Sequence, residues 1–158
     1  MLTLIESISN LGGIVEASFI YHSDIDKAYK LPGTHELYVE LKEGKVWTPL
    51  YMSPNPDVNE DYDEGNALYS PYLKLRYPIK TAEITHQNRL LLARKLLVKV
   101  TTSNGELLYI GTHEFPAEFT FKKLVGGSAP SFAGYEAMFR STQKDSMLFA
   151  TALVESQS

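Results

Sequence analysis

The fold is decided by residues 96–110, whose sequence is LLVKVTTSNGELLYI. Leu96, Val98 and Val100 recur with a period of two, which predicts a strand with one apolar face. Asn104 and Gly105 follow, and both residue types tolerate the positive φ angles of a two-residue hairpin turn. Apolar residues return at positions 108 and 110. The stretch therefore predicts an antiparallel hairpin.

The segment before this hairpin combines a clear strand pattern with one helix. Residues 73–81 place apolar side chains on one face and Lys74, Arg76 and Lys80 on the other. Pro78 predicts that this strand lies at a sheet edge or carries a bulge, because proline cannot donate a hydrogen bond to a neighbouring strand. Residues 82–94 contain no glycine or proline and space apolar side chains at helical intervals, which predicts the main helix.

Shorter patterns predict strands over most of the remaining chain. Period-two alternation predicts strands near 15–21 and 118–122, and a hairpin of 37–41 with 46–50 around Glu43-Gly44. Two more strands are predicted at 135–142 and 147–154, and the last should be buried because it is apolar on both faces. We expect one mainly β (α+β) domain over residues 1–158, an antiparallel β-sandwich or barrel with a helix near 82–94.

Residues 51–71 lack periodicity and predict a long loop. Three prolines, Gly65 and several asparagines interrupt this stretch. A loop of this length in a compact domain is usually functional or is ordered by a partner. It also contains a dense acidic cluster at 57–64.

The charges of neighbouring segments are opposite. The acidic cluster is followed, between residues 74 and 99, by seven basic residues and one acidic residue. Two solvated surfaces would explain this asymmetry, and so would charge complementarity between neighbouring subunits, which sets register and orientation. On the second interpretation the subunit-interface candidates are Asp57, Glu60, Asp61, Asp63, Glu64, Lys74, Arg76, Lys80, Arg89 and Arg94.

The residues that usually carry catalysis or metal binding form no recognisable motif. The chain has no cysteine, and its four histidines are not spaced as a metal pair. The acidic cluster alternates oxygen ligands as calcium loops do, but Tyr62 and Leu68 occupy the positions that need glycine and glutamate. We therefore expect no catalytic residues, no metal, no cofactor and no enzymatic activity, while the acidic cluster could bind an ion, contact a partner or be solvated.

Tyrosine is abundant, with ten residues in the chain. Tyr51, Tyr62, Tyr69 and Tyr72 lie in or beside the predicted loop. Tyrosine clusters stack on sugars or anchor protein interfaces. A carbohydrate- or ligand-binding β-domain that uses this loop is therefore the alternative function.

Bulk properties limit the partners. The net charge is −4, and a general nucleic-acid binder would be basic. The longest apolar runs, such as that at 90–93, are far below the roughly 20 residues that span a bilayer. The first residues also lack the basic region of a secretory signal peptide.

The order of motifs in the second half resembles a known group of proteins. The motifs are NRLLLAR at 88–94, TTSNGELLYIGT at 101–112, PAEFTF at 116–121, GGSAP at 126–130 and GYEAMF at 134–139. This order, over residues 70–154, is similar to that of small β-rich virion proteins encoded in phages and prophages of the Bacteroides group. The resemblance implies a structural component of the tail or of the neck that joins head to tail, and supplies no active-site residues.

Together these observations predict a bacteriophage structural protein of the head-tail connector (neck) or tail. We expect homo-oligomeric rings, of six or twelve copies, that contact neighbouring virion proteins. Subunits of such a ring meet head to tail, so unlike surfaces face each other. The protein would fold in the host cytoplasm and reside in the virion, without membrane contact or specific nucleic-acid contact, although a ring lumen could pass DNA.

Overall fold

A computed structural model describes residues 14–52, 56–77, 81–124 and 134–150. A 3-10 turn, His22–Asp24, follows the first described strand. The strands and the helix are β1 (Ile14–Tyr21), β2 (Ile25–Lys30), β3 (Glu36–Leu41), β4 (Thr48–Pro49), β5 (Asp57–Asp63), β6 (Leu68–Tyr77), α1 (Ala82–Leu91), β7 (Lys95–Thr102), β8 (Leu107–Ile110), β9 (Ala117–Leu124), β10 (Gly134–Arg140) and β11 (Leu148–Ala150).

The central strand is β7, which is buried on both faces. Leu96, Val98 and Val100 enter one hydrophobic core, and Leu97 enters a second core on the opposite face. One edge of β7 pairs with β1 over residues 96–102. The other edge is shared, because β8 pairs with residues 98–101 and β9 pairs with residues 95–96. The sheet therefore divides at β7 into two branches.

The strands form one open sheet in the order β2-β3-β11-β8-β7-β9-β10-β6-β5, with β1 and β4 attached to β7. All pairs are antiparallel except β3 with β11. The predicted mainly β (α+β) class is confirmed. The sheet is mixed and open, whereas a purely antiparallel sandwich or a barrel was expected, because β11 runs parallel to β3 and the two end strands do not meet.

The larger core lies between the β1-β7-β8 surface and the β9-β10-β6 branch. Phe19, Leu75, Leu91 and Phe139 are among its buried members. Burying a side chain of this size contributes roughly 1.5–3 kcal/mol. This core explains why residues at every second position of β6 and β7 are apolar.

The predicted helix is confirmed, and it ends three residues earlier than expected. Thr81 caps α1, since its side chain accepts a hydrogen bond from the Ile84 backbone N–H at 3.2 Å. Its buried residues are Ile84, Gln87, Asn88 and Leu91, one face of a helix. The chain then turns out of the helix at Ala93, whose φ is +59°.

The hairpin predicted from residues 96–110 is present. Val100 lies opposite Leu108 in the β7–β8 register, and the turn passes through Gly105 with a φ of +86°. The strands predicted near 15–21, 118–122 and 135–142 correspond to β1, β9 and β10. The motif at 126–130 lies outside the described residues.

The long loop predicted at 51–71 is wrong for most of its length. Residues 57–63 form β5, residues 68–77 form β6, and only 64–67 make the turn between them. Acidic residues and asparagine have low strand propensity, which hid the pattern. They are tolerated because β5 is an end strand whose acidic side chains are mostly exposed.

The hairpin predicted for 37–50 is also wrong, although its turn forms. The Lys45 N–H bonds the Lys42 carbonyl at 3.0 Å, and Gly44 has a φ of +82°. The chain then leaves β3, and the short β4 pairs with β1. β3 pairs instead with β2, which the sequence reasoning missed, and with β11.

Two further expectations need correction. β6 is not an edge strand, since it lies between β5 and β10; Pro78, on which that prediction depended, lies outside the described residues. The last strand is described only as Leu148–Ala150, and it is not buried on both faces. Leu148 is buried, whereas the Phe149 side chain is 39% exposed.

Candidate functional site

The acidic cluster lies on β5, at one end of the sheet. Among the described residues β5 pairs with β6 alone, so its outer edge is open. Asp57, Asn59 and Asp61 are exposed on one face, and Val58 and Glu60 are half-buried on the other. The cluster is thus an edge strand with alternating side chains, and successive acidic side chains do not share one environment.

Glu60 points inward and is held within the chain. Its carboxylate accepts hydrogen bonds from the Ser146 hydroxyl at 2.7 Å and from the Met147 backbone N–H at 2.8 Å. Hydrogen bonds to an ionised group are stronger than neutral ones. Glu60 therefore ties β5 to the segment that precedes β11.

Asp63 and Glu64 lie at the turn between β5 and β6. The Asp63 carboxylate accepts hydrogen bonds from the Gly65 N–H at 3.0 Å and from the Asn66 side-chain amide at 2.7 Å. The bonds from Asn66 lower the pKa of Asp63, because they stabilise the charged form. Asp63 thus shapes the turn, and Glu64 is exposed within it.

The face of β5 that carries Asp57 and Asp61 continues across β6 to β10, and we call this surface the charged face. Asp57 lies opposite Lys74 in the β5–β6 register, and the Asp61 carboxylate lies 3.7 Å from the Arg140 guanidinium. The Tyr72 ring lies beneath both cations, with Lys74 at 5.5 Å and Arg140 at 4.9 Å from its centroid. The acidic and basic segments are therefore neighbours within one chain.

Glu136 on β10 is the centre of this charged face. Its carboxylate oxygens lie 3.9 Å from Lys74, 3.3 Å from Arg76 and 3.4 Å from Lys122. The Glu136 side chain is only 7% exposed, because the longer cationic side chains cover it. Two of the basic residues predicted to face another subunit thus have an acidic partner in their own chain.

The other predicted basic residues do not join this face. Arg94 stacks over the Tyr21 ring at 3.8 Å, and the Tyr21 hydroxyl donates to the Leu90 carbonyl at 2.8 Å. Arg89 is exposed on α1. Lys80 lies outside the described residues.

Sequence reasoning missed three members of the charged face, which are Lys122, Glu136 and Arg140. Their signal was present in the strand periodicity, since Glu118, Thr120 and Lys122 alternate with apolar residues on β9. β10 repeats the pattern, but only the register places Glu136 opposite both Arg76 and Lys122.

The calcium alternative is not supported by the geometry of β5. Alternate residues of a strand are about 6.6 Å apart along its axis, so their oxygens do not converge on one ion. Asp57, Asp61 and Asp63 each have a separate partner in the chain. Across the described ranges, no group of three or more histidine, aspartate or glutamate side chains is arranged to hold a metal ion.

The tyrosines of the predicted loop are distributed over different surfaces. Tyr62 and Tyr69 pack together at 4.7 Å on one face of the β5–β6 hairpin, whereas Tyr72 lies on the other face. Tyr51 lies near α1, where its carbonyl accepts a 2.6 Å hydrogen bond from Tyr77. Burial raises the pKa of this Tyr77 hydroxyl. These rings form no single stacking platform in the described structure.

The opposite end of the sheet is the open edge of β2. In the described part of the chain β2 pairs with β3 alone. Lys27, Tyr29 and Lys30 are exposed on it, and the Lys30 ammonium lies 3.4 Å from the Asp145 carboxylate. Tyr29 packs against Tyr38 of β3 at 5.2 Å. Each end of the sheet thus carries an exposed tyrosine packed on a tyrosine of the adjacent strand.

Comparisons with protein-family models, with curated proteins and with solved structures gave no match. Among the described residues, the α-helix α1 lacks the length and apolar character needed to cross a membrane.

Proposed function

We propose that this protein is a structural subunit of a bacteriophage particle, in the head-tail connector (neck) or the tail, and that it forms homo-oligomeric rings. Its partners are further copies of itself and neighbouring virion proteins. The phage assignment is supported by the resemblance in motif order over residues 70–154. The structure contributes an independent argument for self-association.

The open sheet is the observation that supports self-association. β5 and β2 end the strand order, and each has one paired side among the described residues. An open edge presents backbone donors and acceptors that can pair with a strand of another chain. One chain therefore offers two different pairing surfaces.

Two different surfaces on one subunit favour head-to-tail contacts. Such contacts are heterologous, and they generate a ring when the rotation between subunits closes. A ring also suits a position between head and tail, where DNA must pass through the lumen. The acidic net charge of −4 disfavours electrostatic attraction to the DNA backbone, as suits a lumen through which DNA passes.

Native mass spectrometry of the purified chain tests the assembly. We expect one closed oligomer of fixed copy number, with six and twelve as the sizes expected for a neck or tail ring. A chain that stays monomeric over the whole accessible concentration range would contradict the proposal. The proposal also predicts that genes for a portal, capsid or tape-measure protein flank this one.

A further inference from the structure

The two open edges carry opposite charge. β5 contains four acidic residues and no basic one, whereas β2 contains Lys27 and Lys30 with a single acid, Asp26. Two β5 edges brought together would oppose acidic strands, and like charges directly opposite are destabilising. Pairing of β5 with β2 opposes unlike charges. The edges are therefore complementary to each other and not to themselves.

The edges also match in length and in their aromatic residues. β2 has six residues and β5 has seven, so the two can form a ladder without leaving a long unpaired segment. Tyr29 is 51% exposed and Tyr62 is 52% exposed. Because each ring already packs on a tyrosine of its own chain, an interface would gain aromatic area at a small cost in side-chain entropy.

We propose that β2 of one copy pairs with β5 of the next copy, so that the sheet continues from subunit to subunit. This inference rests on the proposed self-assembling function and specifies the contact that produces it. Backbone hydrogen bonds between the strands provide affinity. Successive side chains of β2 alternate between the two faces of the sheet, so one of Lys27 and Lys30 shares a face with Asp57, Asp61 and Asp63. This attraction favours the head-to-tail pairing over the pairing of two like edges.

Engineered cysteines test the contact directly, because the chain has no cysteine of its own. One set of variants carries a single cysteine on β5 (Asn59→Cys or Asp61→Cys), and the other carries one on either face of β2 (Lys27→Cys or Lys30→Cys). Directly opposed residues of paired strands lie about 4.5–5.5 Å apart at Cβ, close to disulfide geometry. We expect a β5 variant mixed with a β2 variant to give disulfide-linked dimers on mild oxidation, and neither variant alone to do so efficiently. A Val46→Cys variant, exposed in the turn region before β4, is the control that should not cross-link to either set.

Charge reversal provides a second test. The Lys27→Glu/Lys30→Glu chain should assemble at a concentration about tenfold higher or more, and added salt should weaken wild-type assembly. Mixing it with an Asp57→Lys/Asp61→Lys chain should restore assembly, because each edge then meets an opposite charge. Lys95→Glu/Lys123→Glu is the matched control, since it makes the same change in net charge on β7 and β9. Thermal melts of each variant verify folding.

The outcomes separate the two proposals. If the wild type forms no oligomer, the proposed function fails. If the wild type forms rings, but no cysteine pair cross-links and the β2 reversal assembles normally, only the edge pairing is overturned. Cross-linking of one β5–β2 pair together with rescue in the charge-swapped mixture supports both.

Discussion

The Arg140 guanidinium on β10 lies 3.7 Å from the Asp61 carboxylate on β5 and therefore reaches across the intervening strand β6. Opposite charges that are distant in the sequence are thus neutralised inside one subunit. Four predictions about the stability of this arrangement follow from individual contacts.

Glu136→Gln should destabilise the fold by about 1–2 kcal/mol, because three cations lose their shared carboxylate in a largely covered position. Urea denaturation followed by fluorescence measures the change. Glu43→Gln, at the exposed turn after β3, is the matched control and should be near neutral. Equal effects of the two substitutions would show that the Glu136 cluster does not stabilise the fold.

Glu60→Gln should loosen β5 specifically. The substitution weakens the charge-assisted hydrogen bonds to Ser146 and Met147, which we expect to cost about 1–3 kcal/mol. Hydrogen exchange should accelerate in 57–63 more than in the central strand β7. Asp57→Asn removes the same charge from the exposed face of β5 and is the control, which should leave hydrogen exchange nearly unchanged. A uniform acceleration of exchange across the sheet in Glu60→Gln would show that Glu60 does not hold β5 locally.

Asp63 should contribute a pH-dependent part of the stability. The hydrogen bonds from Asn66 lower the folded pKa below its usual value near 3.8. The stabilisation is therefore fully present above that usual value and is lost as the pH falls through the lower folded pKa. Asp63→Ala should destabilise the protein at neutral pH, and the difference from wild type should shrink in strong acid. Urea midpoints measured across this range check the prediction, and a difference that does not change with pH would refute it.

Gly111→Ala should destabilise the protein by about 1–3 kcal/mol through strain. Gly111 has a φ of +101°, and an added Cβ would lie 3.0 Å from the Ala117 backbone nitrogen. Gly44→Ala is the matched control, because Gly44 has a φ of +82° with nothing within 4 Å of the added Cβ. Chemical denaturation should show a larger effect at Gly111 than at Gly44, and equal effects would argue against the steric contribution.

Local sequence patterns determined the elements whose signals are short-ranged. The Asn104-Gly105 turn joins β7 to β8, and the helical spacing with Thr81 before it produces α1. These features depend on neighbouring residues alone, since turn conformation and helix capping are decided within a few positions. The mainly β class and the alternation of buried residues in β6 and β7 were predictable for the same reason.

Strand pairing was decided only by the tertiary structure. Glu43-Gly44 makes the expected turn, yet β3 pairs with β2 and β11, because the burial of Leu37 and Val39 in the second core outweighs the local hairpin. β5 escaped prediction because its acidic residues disfavour a strand, and its edge position beside β6 makes them acceptable.

The residues of the charged face follow the same division. The sequence by itself determined that residues 57–64 are acidic, that 74–99 are basic, and that alternate positions of each strand would share a face. Only the tertiary register decided that Glu136 meets Lys74, Arg76 and Lys122, and that Asp61 of β5 meets Arg140 of β10. The physical reason is that side-chain periodicity is local, whereas the partner across a sheet depends on contacts between segments far apart in the chain.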